Sequence, residues 1–174
     1  MAEPRESRVL VVDDDPSLIA DYRSFLTGRP PLGRRDLDLF TELEHDLVGA
    51  AVAHEGFPEV DCISVSRGRD AVESVGRALE SGRYFTAAFI DMQLSRRFDG
   101  VRTVSEIRAL DPVVHIVLVS DRCDIHPVDL SRRIAPADRL FFLRKPFHAT
   151  EVQPFVLAFT SRERLHSSRT GWRA

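Results

Sequence analysis

Short runs of apolar residues alternate along the chain with stretches in which apolar residues recur every three or four positions. The run at 8–13 is continuous and rich in β-branched residues, which is typical of a strand buried on both faces of a parallel sheet. Similar runs predict strands at 62–65, 87–90, 114–119 and 140–143. Five strands separated by helices indicate an α/β fold with a parallel sheet and right-handed crossovers.

The stretches between the strands predict amphipathic helices. After Pro16, apolar residues fall at helical spacing at Leu18, Tyr22, Phe25 and Leu26. Further helices are expected over about 70–79, from Gly100 to Leu110 with Leu110 on the apolar stripe, weakly over about 127–134, and over about 149–165. The chain is therefore expected to form one domain over 1–165, followed by a polar tail at 166–174.

The passage before the second strand is longer than a simple connection requires. Apolar residues between Arg34 and His54 recur at helical spacing with acidic residues between them, which predicts an additional helix in an inserted segment at about 28–58. Its apolar face either packs against its own domain, which is the commoner use of such a face, or contacts a partner.

The composition is that of an ordinary globular protein of one compact domain. The chain has 174 residues, 43% hydrophobic and 29% charged residues, and a net charge of -3, which disfavours nucleic-acid and membrane-surface roles. No apolar run approaches the roughly 20 residues of a membrane helix, and residues 1–8 lack the apolar stretch of a secretory signal. The two cysteines, Cys62 and Cys123, make no disulfide framework, which favours a reducing cytoplasm.

Polar side chains stand at the ends of four predicted strands. Asp13 and Asp14 end the first, Asp91 the third, Ser120 the fourth and Lys145 the fifth. Ligands of open α/β sheets bind at the carboxyl ends of the strands, so these groups should converge. Two carboxylates about 5 Å apart repel by roughly 3 kcal/mol at an effective dielectric constant of about 20, so the cluster needs a cation.

The chemistry of this group of residues is specific. Carboxylate oxygens with open positions suit Mg²⁺. A carboxylate nucleophile, a Mg²⁺ site, an ammonium group and a hydroxyl are together the parts of a site that forms an aspartyl phosphate.

Five motifs carry a family resemblance: VLVVDDDP at 9–16, AFIDMQL at 88–94, FDG at 98–100, VLVS at 117–120 and FFLRKPF at 141–147. Together they resemble the receiver domain of bacterial two-component response regulators, of the CheY-like superfamily. The resemblance covers nearly the whole chain apart from about 28–58. It implies a doubly wound, flavodoxin-like sheet of five parallel strands in the order 2-1-3-4-5, with the additional helix inserted before strand 2.

The resemblance also implies roles for individual residues. Asp91 matches the phospho-acceptor, Lys145 the phosphate-binding lysine, Ser120 the switch hydroxyl and Phe142 the rotating aromatic residue. The peptide bond between Lys145 and Pro146 is expected to be cis.

A Mg²⁺ ion is the cofactor that the resemblance implies. Asp14 and Asp91 match its direct ligands, Asp13 the acid that holds metal-bound water, and Gln93 the residue whose main-chain carbonyl completes the protein ligands.

Two residues near this site depart from the family pattern. Ser95 stands where relatives usually have proline, and Asp121 stands where most have a small residue. Asp121 should border the entrance to the pocket, where its charge should repel an incoming phosphodonor. Both are expected to modulate the pocket.

The function implied is signal transduction by phosphorelay. A sensor histidine kinase or phosphotransfer protein would donate the phosphoryl group, and a changed surface would bind an effector or output domain that the sequence does not identify. The chemistry would be self-phosphorylation and slow autodephosphorylation, not conventional enzymatic turnover. No nucleic-acid or membrane partner is expected. Whether the chain forms a homodimer is left open by the sequence.

Two alternatives have different signatures. Haloacid dehalogenase-like phosphatases need a second aspartate two residues after the first, where this chain has Gln93. A degenerate receiver would act as a phosphorylation-independent interaction module. Asp121 keeps this reading open, whereas the presence of all four of Asp13, Asp14, Asp91 and Lys145 argues against it.

Overall fold

The computed structural model describes residues 7–27, 58–94, 100–121, 132, 134 and 137–170, with the backbone alone for 137 and 161–170. Several predictions lie outside these residues: the inserted helix within 34–54, the loop that contains Ser95, and, apart from isolated residues, the weak helix at 127–134.

The five strands form one parallel sheet. They are β1 Ser7–Val12, β2 Val60–Val65, β3 Ala87–Asp91, β4 His115–Ser120 and β5 Leu140–Arg144. Their order is β2-β1-β3-β4-β5 and every neighbouring pair is parallel. The predicted fold class and strand order are confirmed.

The described helices cover both faces of this sheet. They are α1 Pro16–Thr27, α2 Gly68–Glu80, α3 Gly100–Leu110 and α4 Ala149–Thr170, with a short 3-10 helix at Ala137–Arg139 before β5. Helix α4 continues past its predicted end near Leu165. None of the described helices is both long and apolar enough to cross a membrane.

Successive strand residues pack into two separate cores, because side chains alternate between the faces of a sheet. On one face Leu10, Ile90 and Leu118 pack with α2 and α3. On the other face Val11 and Phe89 pack with α1 and α4. Burial of each large apolar side chain stabilises the fold by roughly 1.5–3 kcal/mol, so the sheet is held firmly from both sides and its polar strand ends are fixed in place.

The apolar stripe of α3 is shorter than its spacing predicted. Ile107 is fully buried, but Leu110 is 45% exposed. Leu110 is the last residue of the helix, and the chain turns toward β4 directly after it, so the prediction that Leu110 faces the core was wrong.

Candidate functional site

Three aspartates meet at the carboxyl ends of β1 and β3. Asp13 and Asp14 directly follow β1, and Asp91 is the last residue of the neighbouring strand β3. One carboxylate oxygen from each residue lies within 4.8 Å of those from the other two. Asp13 and Asp91 are buried, with exposures of 1% and 6%, whereas Asp14 is exposed. The structure thus brings Asp91 together with Asp14 and Asp13, which lie 77 and 78 residues earlier in the chain.

Lys145 completes the cluster from the end of β5. Its Nζ donates hydrogen bonds to Asp13 Oδ2 at 2.8 Å and to Asp91 Oδ2 at 3.0 Å. The lysine is held by its own backbone, since its N–H donates to the Ser120 carbonyl at 2.8 Å. The Lys145–Pro146 peptide bond is cis. The ammonium group therefore bridges the two buried carboxylates directly.

Main-chain donors orient the same two carboxylates. Asp13 Oδ1 accepts a hydrogen bond from the Asp15 N–H at 2.9 Å, and Asp91 Oδ1 accepts one from the Gln93 N–H at 3.0 Å. Each buried carboxylate is thus fixed by the lysine on one oxygen and by the backbone on the other. The Asp14 carboxylate makes no hydrogen bond within the described part of the chain, so it is the one that is open to a ligand.

The site carries more negative than positive charge. Three carboxylates face one ammonium group, which leaves two excess negative charges when all four are ionised. Burial raises the pKa of Asp13 above its ordinary value, and the hydrogen bond from Lys145 only partly opposes this. Burial by itself would lower the pKa of Lys145, but its hydrogen bonds to Asp13 and Asp91 outweigh burial, and the pKa is raised. The cluster therefore favours a cation.

A hydrogen bond crosses the mouth of the site. Gln93, in the loop after β3, donates from Nε2 to Asp121 Oδ1 at 3.0 Å, and both residues are exposed. The sequence suggested that Asp121 lies near the pocket entrance but gave no indication of this partner. Since the Gln93 N–H also binds Asp91, the carboxylate of Asp121 is linked through one residue to Asp91.

The remaining predicted residues occupy the neighbouring strands. Ser120 ends β4, is half-buried, and offers its carbonyl to Lys145. Phe142 lies on β5 opposite Leu118, is half-buried, and packs against the core beneath α2 and α3. Their switching roles, like the role of the Gln93 carbonyl, stay predictions.

Gly100 is a site residue whose role sequence reasoning missed. Its N–H donates to the Met92 carbonyl at 3.1 Å. A β-carbon at this position would overlap the Asp91 carbonyl oxygen and stand 2.6 Å from Met92 Cα. Only glycine lets α3 begin this close to the backbone that carries Asp91. The FDG motif contained the signal, but the sequence indicated only the start of a helix.

Tyr22 forms part of the floor of the site. Its ring packs between Phe89 and Phe147, with centroids at 5.4 and 5.0 Å. The residue is 1% exposed, and its hydroxyl has no hydrogen-bond partner among the described residues. Burial, and secondarily the charges of Asp13 and Asp91, raise its pKa, so the phenol stays neutral beneath the aspartates.

Comparisons with known proteins identify the fold. No protein-family model matches the chain, and no curated protein matches it. Among solved structures, a signal receiver domain of an HD domain-containing protein from Pseudomonas fluorescens Pf-5 is 16% identical, with 98% of this chain and 96% of that chain covered and a TM-score of 0.61. A CheY-like receiver domain protein from Methanospirillum hungatei JF-1 is 15% identical, with 91% and 98% covered and a TM-score of 0.59.

A third similar structure is the N-terminal domain of a response regulator/sensory box/GGDEF 3-domain protein from Carboxydothermus hydrogenoformans. It is 15% identical, with 94% of this chain and 99% of that chain covered and a TM-score of 0.57. At these identities the similarity establishes the fold, which is that of CheY-like response-regulator receiver domains, as the motifs predicted.

Proposed function

We propose that this chain works in the cytoplasm as a response-regulator receiver, which takes a phosphoryl group on Asp91 from a sensor histidine kinase or phosphotransfer protein. The observation that carries the proposal is Lys145 Nζ, which lies 3.0 Å from the carboxylate of Asp91 within a cluster of acids at one sheet edge. A lysine there would bind the oxygens of a phosphoryl group carried by that carboxylate.

The donor set fits a magnesium ion. Carboxylate oxygens are hard ligands, and Mg²⁺ in proteins takes one or two of them together with waters and phosphate oxygens. Asp14, whose carboxylate is exposed, and Asp91 would ligate it directly with the main-chain carbonyl of Gln93, and Asp13 would act through a water. When bound, Mg²⁺ would neutralise charge on the phosphoryl oxygens.

The residues of the chain would carry out the transfer itself. A carboxylate oxygen of Asp91 forms the new O–P bond while the N–P bond of the phosphohistidine breaks, and the histidine nitrogen keeps the electron pair. The Gln93 N–H holds the carboxylate in orientation at 3.0 Å, and Asp13 holds Lys145 beside it at 2.8 Å. Ser120 would then donate to a phosphoryl oxygen and Phe142 would turn inward, which shifts the population toward a second packing of β4 and β5.

Chemical labelling tests this proposal and separates it from its two alternatives. With acetyl phosphate and Mg²⁺, intact mass should show one added phosphoryl group on the wild type and none on Asp91→Asn. Continuous hydrolysis of acetyl phosphate without a stable adduct would indicate a phosphatase. Failure to form either the phosphoryl or the beryllofluoride adduct would indicate an interaction module. Gel filtration with beryllofluoride would report any dimer and the changed surface.

We expect Asp121→Ala to speed this labelling by about two- to fivefold at low ionic strength, because one negative charge is removed from the mouth of the site. The rate constant with acetyl phosphate measures the effect. Asp121→Asn retains an acceptor for Gln93 without the charge, so it should behave like Asp121→Ala if charge is the cause. Asp138→Ala removes another exposed carboxylate, from the 3-10 helix, and serves as the matched control. Identical rates for Asp121→Ala and the wild type would contradict the electrostatic explanation.

A further inference from the structure

An open groove lies at the end of the sheet where the strands begin, opposite the end that holds the aspartates. It runs between the last turns of α2 and the segments that enter β1 and β3, and its volume is about 250 Å³. Ile63, Ala78 and Phe85 form its apolar floor, and Arg8, Arg77 and Arg83 surround it. We refer to these six residues as the arginine groove.

The residues that line the arginine groove include three arginines and no acidic residue. Asp61 Oδ2 is shared by Arg8 Nε at 2.9 Å and Arg83 Nη2 at 3.5 Å, so one carboxylate faces two guanidinium groups. Arg77 reaches Glu73 only at 4.0 Å, and both side chains are more than 60% exposed, which makes this a weak pair. Arg77 and Arg83 therefore retain most of their capacity to bind an anion.

The guanidinium group of Arg8 has a structural role. Arg8 is only 13% exposed, donates to the Arg83 carbonyl, and lies 4.8 Å from the centroid of the Phe85 ring. A cation over an aromatic face holds both side chains in place. The floor and one wall of the arginine groove are thus formed before any ligand arrives.

Exposed apolar residues border the same edge. The large hydrophobic residues that stand out as exposed in the described chain are Tyr84, Leu110 and Val113, at 51%, 45% and 60%. Tyr84 lies between Arg83 and Phe85. The Thr86 carbonyl accepts the His115 N–H at 3.2 Å, which places the segment entering β3 beside the one that contains Val113. Exposed apolar side chains beside a charged groove suit a contact with another protein.

We propose that this edge docks an acidic segment of a partner protein, with carboxylates against Arg77 and Arg83 and an apolar side chain inserted over Ile63 and Phe85. Charge complementarity selects an acidic partner. The adjoining exposed apolar residues favour a protein segment over a small anion, which would leave Tyr84 and Val113 in water. This surface lies at the opposite end of the strands from Asp91. It would therefore give the chain a second protein contact, separate from the phosphorelay site proposed above.

Peptide binding to the full chain tests the proposal. The probe is a fluorescein-labelled peptide of alternating glutamate and phenylalanine, followed by anisotropy, beside peptides of alternating glutamine and phenylalanine and of glutamate alone. The mixed acidic and aromatic peptide should bind most tightly, and added salt should weaken it. The double variant Arg77→Glu, Arg83→Glu should weaken binding about tenfold or more, and Tyr84→Ser should weaken it as well.

Arg102→Glu is the matched control, because Arg102 on α3 is as exposed as Arg83, at 61%, but lies away from the arginine groove. It should leave binding within about twofold of the wild type, as expected for a charge outside the contact. Equal losses for the control and the double variant, or equal binding of the glutamine peptide, would overturn the proposal.

One further outcome would also overturn the proposal. Residues 36–46 of this chain contain five acidic residues interspersed with apolar ones. If the peptide binds only after the acidic residues of that segment are replaced by amides, the occupant is the chain itself and not a partner. Labelling of Asp91 by acetyl phosphate should survive in the double variant, so a failure here is distinguishable from a failure of the proposed function.

Discussion

Replacing Lys145 with methionine should lower the free energy of unfolding by about 3 kcal/mol in magnesium-free buffer near neutral pH. Methionine keeps an unbranched stem but removes the cation that contacts Asp13 at 2.8 Å and Asp91 at 3.0 Å. Both carboxylates are more than 90% buried, so neither can replace the lysine with bulk water. Urea unfolding followed by circular dichroism measures the loss. Addition of Mg²⁺ should restore part of it.

The cost of this substitution should depend on pH. Burial already raises the pKa of Asp13, and removal of Lys145 takes away the main opposing effect, so the pKa rises further. A carboxyl group with a raised pKa in the folded state favours folding below its unfolded value of 3.8, and this contribution is lost as pH rises through the folded pKa. The difference in the free energy of unfolding between Lys145→Met and the wild type should therefore be largest near pH 7 and decrease on acidification.

The electrostatic coupling between Lys145 and Asp13 can be measured directly by NMR. Lys145 is the only lysine among 24 basic residues, so its amine gives a single side-chain signal in a lysine-labelled NMR sample. Its pKa should lie above 10.5 in the wild type, and Asp13→Asn should lower it by removing one of the two negative charges that the ammonium group contacts. In the Lys145→Met background, Asp13→Asn should recover stability because it removes one of the two unpaired carboxylates. If Lys145→Met unfolds like the wild type at pH 7, the ion-pair argument is wrong.

Most of the fold could be predicted because its signals are local. A strand covered on both faces must be apolar throughout, and each predicted strand lies within two residues of an observed one, as 62–65 does within Val60–Val65. The convergence of Asp13, Asp14 and Asp91 followed from topology alone, since parallel strands end at one edge. The polar residues at 166–170 contain no apolar stripe, so nothing in the sequence indicated that α4 continues to Thr170.

The unpredicted features depend on contacts between distant parts of the chain. Arg108 is 7% exposed, and its guanidinium donates to the Pro112 carbonyl at 3.1 Å and to the Arg139 carbonyl at 2.7 Å. Nothing in the sequence distinguishes this arginine from an exposed one, because its partners are main-chain carbonyls that every residue has. The bond between Gln93 and Asp121 is likewise visible only once two loops are placed side by side.

Gly100→Ala should be the most damaging small substitution at the site, with a loss of about 3 kcal/mol in the free energy of unfolding. The added methyl group would meet the backbone of Asp91 and Met92, which cannot move aside as a flexible side chain could. Relief of the clash would pull α3 away and break the hydrogen bond from the Gly100 N–H to the Met92 carbonyl. The loop that positions Asp91 and Gln93 would shift with it, so labelling by acetyl phosphate should slow as well.

Gly76→Ala is the matched control, and it should have the opposite sign. Gly76 lies inside α2, and a β-carbon there would meet nothing within 4 Å. Alanine in a helix interior is more favourable than glycine by about 0.8–1.0 kcal/mol, so this variant should melt at a higher temperature than the wild type. Thermal unfolding of the two variants side by side separates the steric effect at Gly100 from the general effect of removing a glycine. If both variants gain stability, α3 can begin without a close approach to Asp91, and the steric requirement for glycine in the FDG motif does not hold.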